Sequence, residues 1–250
     1  MASDYKRIPS SEQKALFDRI VARSKAVPGK PVPVVVFDLD GTILENRPRT
    51  VQILRELAAE LRSDPAHASA ADLLDATRAE QLAYLMTESL AKIGIVHPDL
   101  VARAEAFWKQ RFFTDSYLAH DIEVPGSIAL AKACYEQGAT LVYFTGRDLP
   151  NMSLGSFQSL RDLGFPIGVI GTELVCKPEA SIPDEKYKRE EGPKLARLGN
   201  VIAALDNEPG NCNAFKAMFP EAEVVFVDTQ HFPNAPALVD EVFIVGDLVR

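Results

Sequence analysis

Cysteine is scarce: there are three in 250 residues, and Cys134, Cys176 and Cys212 stand far apart. An odd number without a C-x-x-C pair excludes a disulfide frame and a cysteine-built metal site, and fits reduced thiols in packing positions. Histidine is nearly as rare, and His67, His97, His120 and His231 lack the spacing that would place zinc ligands on one helix face. Positive charge is in deficit, with 27 Lys and Arg against 35 Asp and Glu and a formal charge of −8. Phosphate backbones and anionic lipids reward Lys and Arg, so neither nucleic acid nor a membrane is an expected partner. No apolar run approaches the ~20 residues a spanning helix requires. Met1 to Lys30 is polar and lacks an apolar signal core, which makes the expected location cytoplasmic. There is no P-loop, no dinucleotide fingerprint after the first apolar strand and no G-x-S-x-G elbow. What is present is ordinary for a globular protein, 47% hydrophobic and 25% charged, on a chain long enough for a full core with an inserted module.

The apolar segments alternate between two periods. Ser10-Ser11-Glu12-Gln13 offers a capping box, and Leu16, Ile20 and Val21 continue it at helical spacing, which predicts a helix over about 10 to 26. Val32-Pro33-Val34-Val35-Val36-Phe37 is apolar without alternation, the mark of a strand buried on both faces of a parallel sheet. A second such strand, Ala139 to Phe144, follows a helix over Ser127 to Gln137 that Gly138 closes. Further strands are expected at Pro166 to Ile170, Val201 to Leu205, Val224 to Val227 and Val242 to Val245. Strands alternating with helices imply an α/β fold with a mostly parallel sheet. From about Arg47 to Asp121 the pattern is helical instead, with stretches at Thr50 to Leu61, Ala70 to Ile93 (Ser69 as its N-cap) and Pro98 to Phe112. The Pro, Glu and Lys-rich stretch from Lys177 to Pro193 reads as a long exposed loop.

The chemistry concentrates where the first strand ends. Asp38 and Asp40 lie two apart at its carboxyl end, where open α/β sheets bind ligands, and Gly41-Thr42 gives the chain a sharp exit. Two carboxylates held there raise each other's pKa and are costly without a counter-charge, for which an oxygen-rich Mg²⁺ site is the simplest supply.

Asp38-Leu39-Asp40-Gly41-Thr42 resembles the first motif of the haloacid dehalogenase superfamily, whose commonest members are Mg²⁺-dependent phosphatases. The resemblance implies a Rossmann-like core, residues 1–46 and 121–250, with residues 47–120 as a helical cap inserted between the first and second motifs. It implies Asp38 as the nucleophile that becomes an aspartyl-phosphate and Asp40 as the acid and base. Thr145, in Phe144-Thr145-Gly146-Arg147, is similar to the second motif, a hydroxyl that binds the phosphoryl group, with Gly146 beside it. Lys188 matches the third motif best, 18 residues ahead of Asp206, with Lys186 as second choice and Lys177 and Lys194 also in range. Asp206-Asn207-Glu208-Pro209 stands at the fourth motif but departs from its commonest forms. The resemblance implies that Asp206 completes a metal site with Asp38 and the Asp40 carbonyl, or that Asn207 is the direct ligand and Asp206 or Glu208 acts behind it. Asn211 and Asn213 sit where they can orient this loop.

These readings converge on hydrolysis of a small phosphorylated molecule with Mg²⁺ as cofactor. A phosphomutase or phosphotransferase follows if the aspartyl-phosphate passes to a hydroxyl. A dehalogenase is disfavoured by Asp40, since a halide leaves without a proton. A binding module without turnover remains the rival from another class. Specificity belongs to the cap, where Lys109, Arg111 and Phe113 are candidates and Trp108 reads as core.

Overall fold

The structure, a computed structural model, describes residues 5–250, so Met1 to Asp4 of the polar leader lie outside the described residues. In chain order the elements are α1 (Ser10–Arg23), β1 (Pro33–Phe37), β2 (Leu44–Glu45), α2 (Arg47–Leu61), α3 (Ala68–Asp75), α4 (Met86–Lys92), α5 (Pro98–Phe112) and β3 (Ile122–Glu123). They continue with α6 (Ser127–Glu136), β4 (Thr140–Asp148), α7 (Leu149–Leu163), β5 (Thr172–Lys177), α8 (Asp184–Glu191), β6 (Asn200–Asp206), α9 (Pro209–Met218), β7 (Glu223–Val227) and β8 (Val242–Val245).

The main sheet has the order β5-β4-β1-β6-β7-β8, and every neighbouring pair is parallel. All five residues of β1 are buried, as its unbroken apolar run predicts. The two-residue period of a strand divides them between two cores. Val35 and Phe37 join Leu16, Phe17 and Ile20 of α1 and Leu130 and Cys134 of α6. Val34 and Val36 join Tyr187 of α8 and Cys212 and Phe215 of α9. The chain leaves β1 toward β4 and β5, then returns to the other side of β1 with β6. That reversal of winding opens a crevice at the carboxyl ends of β1, β4 and β6.

The stretch between β2 and β3 is helical and has its own apolar cluster, from Val51, Leu54, Leu57 and Leu61 of α2 to Ala104 and Phe107 of α5. It joins the rest through β2 and β3, which pair antiparallel with Leu44 opposite Glu123 and Glu45 opposite Ile122.

Several local readings are corrected. No strand forms at Pro166 to Ile170: Gly168 and Gly171 take φ of 71° and 84°, and the chain turns there. The strand forms at Thr172–Lys177 instead. The helix expected over Ala70 to Ile93 is broken between α3 and α4, because side chains capture backbone donors. Ala83 N–H donates to Ser89 Oγ (2.9 Å), and Arg78 N–H donates to Gln81 Oε1 (2.8 Å). Neither serine cap forms: α1 starts after Pro9 and α3 after His67, without a side-chain cap in either case. The stretch from Lys177 to Pro193 is not all loop, since α8 lies within it with Asp184 and Glu185 in its first turn and Lys188 and Arg189 in its last, as the helix dipole favours.

Candidate active site

Beyond β1 the backbone folds back on itself. The N–H groups of Thr42, Ile43 and Leu44 all donate to Leu39 O, and Gly41 N–H donates to Leu44 O. Gly41 adopts φ of +77°, and a Cβ there would meet Asn207 Nδ2 at 2.3 Å, so only glycine fits this turn. The turn leaves Asp38 6% exposed. Asp38 Oδ2 accepts from Thr42 Oγ1 at 2.9 Å, and Oδ1 accepts from Lys188 Nζ at 2.6 Å. Burial pushes the Asp38 carboxyl up to about 7 against the pull of Lys188, and Asp206 adds to the rise.

Lys188 also donates to Asp206 Oδ2 at 2.7 Å. Burial opposes its charge, but Asp206 and Asp38 outweigh that and hold the ammonium above the usual lysine range. Of the four lysines singled out from sequence, Lys188 is the one that contacts Asp38 and Asp206. Lys186 and Lys194 are exposed partners of Glu190 and Glu191, while Lys177 holds Ile182 O and Asp184. Asp206 Oδ1 accepts from Glu208 N–H (2.9 Å) and Asn211 Nδ2 (3.1 Å). Asn207 donates from Nδ2 to Gln230 O (2.6 Å) and accepts from Thr42 Oγ1 at 3.3 Å. Asn213 faces away, bonded to Ala237 O and Val239 N–H.

Asp40 has a different environment. Arg147 grips both its oxygens, Nε to Oδ2 at 2.7 Å and Nη2 to Oδ1 at 2.8 Å, and Arg49 Nη2 adds a contact to Oδ1 at 3.0 Å. Both arginines also hold the buried Asp121: Arg49 through Nε (2.8 Å) and Nη2 (2.6 Å), Arg147 through Nη2 (2.7 Å). Burial would raise the Asp40 carboxyl, but Arg147 and Arg49 override it and hold the group well below the usual carboxylate range. Arg147 is thus a buried partner of Asp40.

Asp38, Asp40, Thr145, Gly146, Lys188, Asp206 and Asn207, all singled out from sequence, line one cavity of about 500 Å³. Thr145 is buried, and its Oγ1 accepts from Arg147 N–H at 3.1 Å. At Gly146 a Cβ would meet Asp184 Oδ2 at 2.3 Å, so glycine there lets α8 come close enough to present Lys188.

The helical stretch supplies the opposite wall, with Trp108, Phe112 and Phe113 among its lining residues. Phe113 was foreseen there. Trp108 is only partly buried and lines the cavity, and Lys109 and Arg111 do not line it. Arg111 stacks on Phe107, 3.3 Å from the ring centroid, and faces Glu56. Sequence reasoning also missed Arg49 and Asp121, whose contact spans 72 positions without a local spacing signal.

Among the described residues, no three His, Cys, Asp or Glu side chains converge as a metal-ligand group. The donors are nonetheless hard oxygens, and negative charge exceeds positive around them. Asp38 and Asp206 share a single ammonium, and Glu208 beside them is pushed up to about 7, chiefly by burial. Such a set suits a cation that takes one or two carboxylates and fills its other positions with neutral oxygens and water, as Mg²⁺ does.

No family model matches the chain, and no curated protein matches it. Solved structures do. The structure named "Putative Phosphatase from Clostridium difficile" superposes with a TM-score of 0.52 at 11% identity, covering 85% of this chain and 93% of that one. "HAD hydrolase, family IA, variant 3" from Entamoeba histolytica gives a TM-score of 0.49 at 13% identity over 87% and 94% of the two chains. CbbY from Rhodobacter sphaeroides, solved with phosphate, gives 0.46 at 17% identity over 86% and 94%. The likeness to the Clostridium difficile protein is one of fold, and it extends over most of both chains.

Proposed function

We propose that this chain is a haloacid dehalogenase-superfamily phosphatase, a Mg²⁺-dependent phosphoric monoester hydrolase of a small phosphorylated molecule, acting through an aspartyl-phosphate on Asp38. One observation carries the reading: a desolvated Asp38 at the carboxyl end of β1, fixed by Lys188 and Thr42, opening on a cavity that also holds Thr145, Asp206 and Asp40. Residues 47–120 are then the cap, and residues 1–46 and 121–250 the catalytic core.

In the first half of the reaction an Asp38 oxygen forms a bond to phosphorus as the ester P–O bond breaks, and a protonated Asp40 gives its proton to the departing alkoxide, which leaves as the alcohol while Asp40 becomes the carboxylate. In this reading Lys188 and the Thr145 hydroxyl hold the equatorial phosphoryl oxygens. In the second half a water oxygen attacks phosphorus, Asp40 accepts the water proton, and the bond to Asp38 breaks to release inorganic phosphate. Asp40, held as an anion by Arg147 and Arg49, is set up for this basic half. Proton donation in the first half depends on loosening the Arg147 contact. Asp38, Asp206, the Asp40 carbonyl and Asn207 are the groups that would hold Mg²⁺, which when bound neutralises phosphoryl charge.

Hydrolysis of an aryl phosphate by the purified protein tests the reading. Turnover with Mg²⁺ that disappears both with EDTA and in Asp38→Asn supports it; full activity in Asp38→Asn refutes it.

A further inference from the structure

The wall facing the phosphoryl end has an unusual composition. Along α5, Glu105, Trp108 and Phe112 follow one another at spacings of three and four, the repeat that puts side chains on one helix face. All three line the cavity. Trp108 lies 4.5 Å from Phe112, and Phe113 completes the cluster at 5.0 Å from Phe112 and 5.7 Å from Trp108, centroid to centroid.

Glu105 stands on this aromatic wall without a counter-charge. Every other acidic side chain lining the cavity is engaged: Asp38 and Asp206 with Lys188, Asp40 with Arg147, Glu45 with Arg47, Asp184 with Lys177, and Glu208 with Phe232 N–H. Among the described residues the Glu105 carboxylate has no hydrogen bond and no ion pair, and the residue is partly buried. A carboxylate with no partner on an aromatic wall is free to pair with a donor or cation that a bound ligand brings to it. Seven acidic and three basic side chains line the cavity in all. A negative tail on the substrate would therefore be repelled, a neutral one would leave Glu105 unpaired, and a positive one would gain both the carboxylate and the ring faces. Phe112 already carries a cation, the Arg49 guanidinium at 4.3 Å, so on this wall Trp108 and Phe113 are the rings left for a ligand, with Tyr84 elsewhere on the lining.

We propose that the substrate is a phosphate monoester of an alcohol bearing a positive charge, an amino alcohol or its quaternary ammonium form, and that Glu105 selects it. This rests on the phosphatase reading and names the substrate class for the same cavity.

The test compares two esters of equal shape, 2-(trimethylammonio)ethyl phosphate and its uncharged isostere 3,3-dimethylbutyl phosphate. The wild type should favour the charged ester in kcat/KM by about tenfold or more. Glu105→Gln should bring the ratio close to one, and Glu105→Asp should keep part of it. Equal use of the two esters by the wild type, or a preference that survives Glu105→Gln, overturns the proposal and leaves the phosphatase reading standing. A second measurement does not need turnover. The chain has one tryptophan, so the fluorescence of Trp108 reports binding of the free alcohol, choline. Saturable quenching that weakens in Glu105→Gln supports the cation site even if no ester is hydrolysed, in which case the reaction assigned above is what fails. Absence of any choline response in the wild type overturns the cation site.

Discussion

The Asp40–Arg147–Asp121–Arg49 cluster allows a prediction worked from its charges. Asp121 and Arg49 side chains are 0% exposed and Arg147 is 1% exposed, and the four formal charges cancel. Asp121→Asn keeps the shape but leaves two arginines facing one carboxylate, an uncompensated buried positive charge. Losing one partner of a buried pair costs about 3–5 kcal/mol, which for a chain of this size is a drop in Tm of roughly 6–20 °C. Arg49→Met creates the opposite imbalance and should cost a similar amount. The double variant removes one charge of each sign and leaves the neutral Arg147–Asp40 pair, so its loss should fall short of the sum by about 1–3 kcal/mol. Urea denaturation of the four proteins, followed by circular dichroism and by Trp108 fluorescence, measures the cycle. Additivity within about 0.5 kcal/mol, or a cost below about 1 kcal/mol for Asp121→Asn, would show that the four groups do not act as one unit.

Other expectations follow from single residues. Gly41→Ala, placed at φ of +77° with its Cβ 2.3 Å from Asn207 Nδ2, should lose about 1–3 kcal/mol of stability and most turnover; a wild-type melting curve would contradict the turn geometry. Glu208 binds its proton more tightly folded than unfolded, so its contribution to stability is complete below its ordinary value of 4.5 and is lost as pH rises through about 7. Glu208→Gln should therefore flatten the metal-free stability profile across that window, and superimposable profiles would refute the assignment. Asp206→Asn should raise the Mg²⁺ concentration for half-maximal activity by at least about tenfold; an unchanged value would remove Asp206 from the metal site.

The central strands β1, β4, β6 and β7 were legible because they are buried on both faces, which leaves apolar runs such as Val34 to Phe37 with no rival interpretation. The motif residues were legible for a related reason: Asp38, Thr145 and Asp206 each stand at the end of such a run, and the sheet brings those ends together. Lys188 needed the structure, because four lysines occupy a charged stretch and only α8 determines which one reaches Asp38. The strand placed at Pro166 to Ile170 failed because β-branched content outweighed two glycines whose backbone turns the chain. The long helix over Ala70 to Ile93 failed because Ser89 and Gln81 satisfy backbone groups locally, which hydrophobic periodicity does not register. Arg49 and Asp121 were illegible in principle. Their partnership joins the two ends of a long helical excursion, and neither carries a motif. The aromatic wall was misread in part for a simpler reason: Trp108 has the periodicity of a core residue, and a cavity wall and a core look alike along a helix.

The central claim is that Asp38 is the nucleophile. The most direct measurement is intact-protein mass spectrometry after acid quenching of the enzyme in mid-turnover with an aryl phosphate and Mg²⁺, with fragmentation to locate any added group. The account predicts a gain of one phosphoryl group on Asp38 that is absent in Asp38→Asn. Steady turnover with phosphate on a different residue, or with turnover retained in Asp38→Asn, would contradict it.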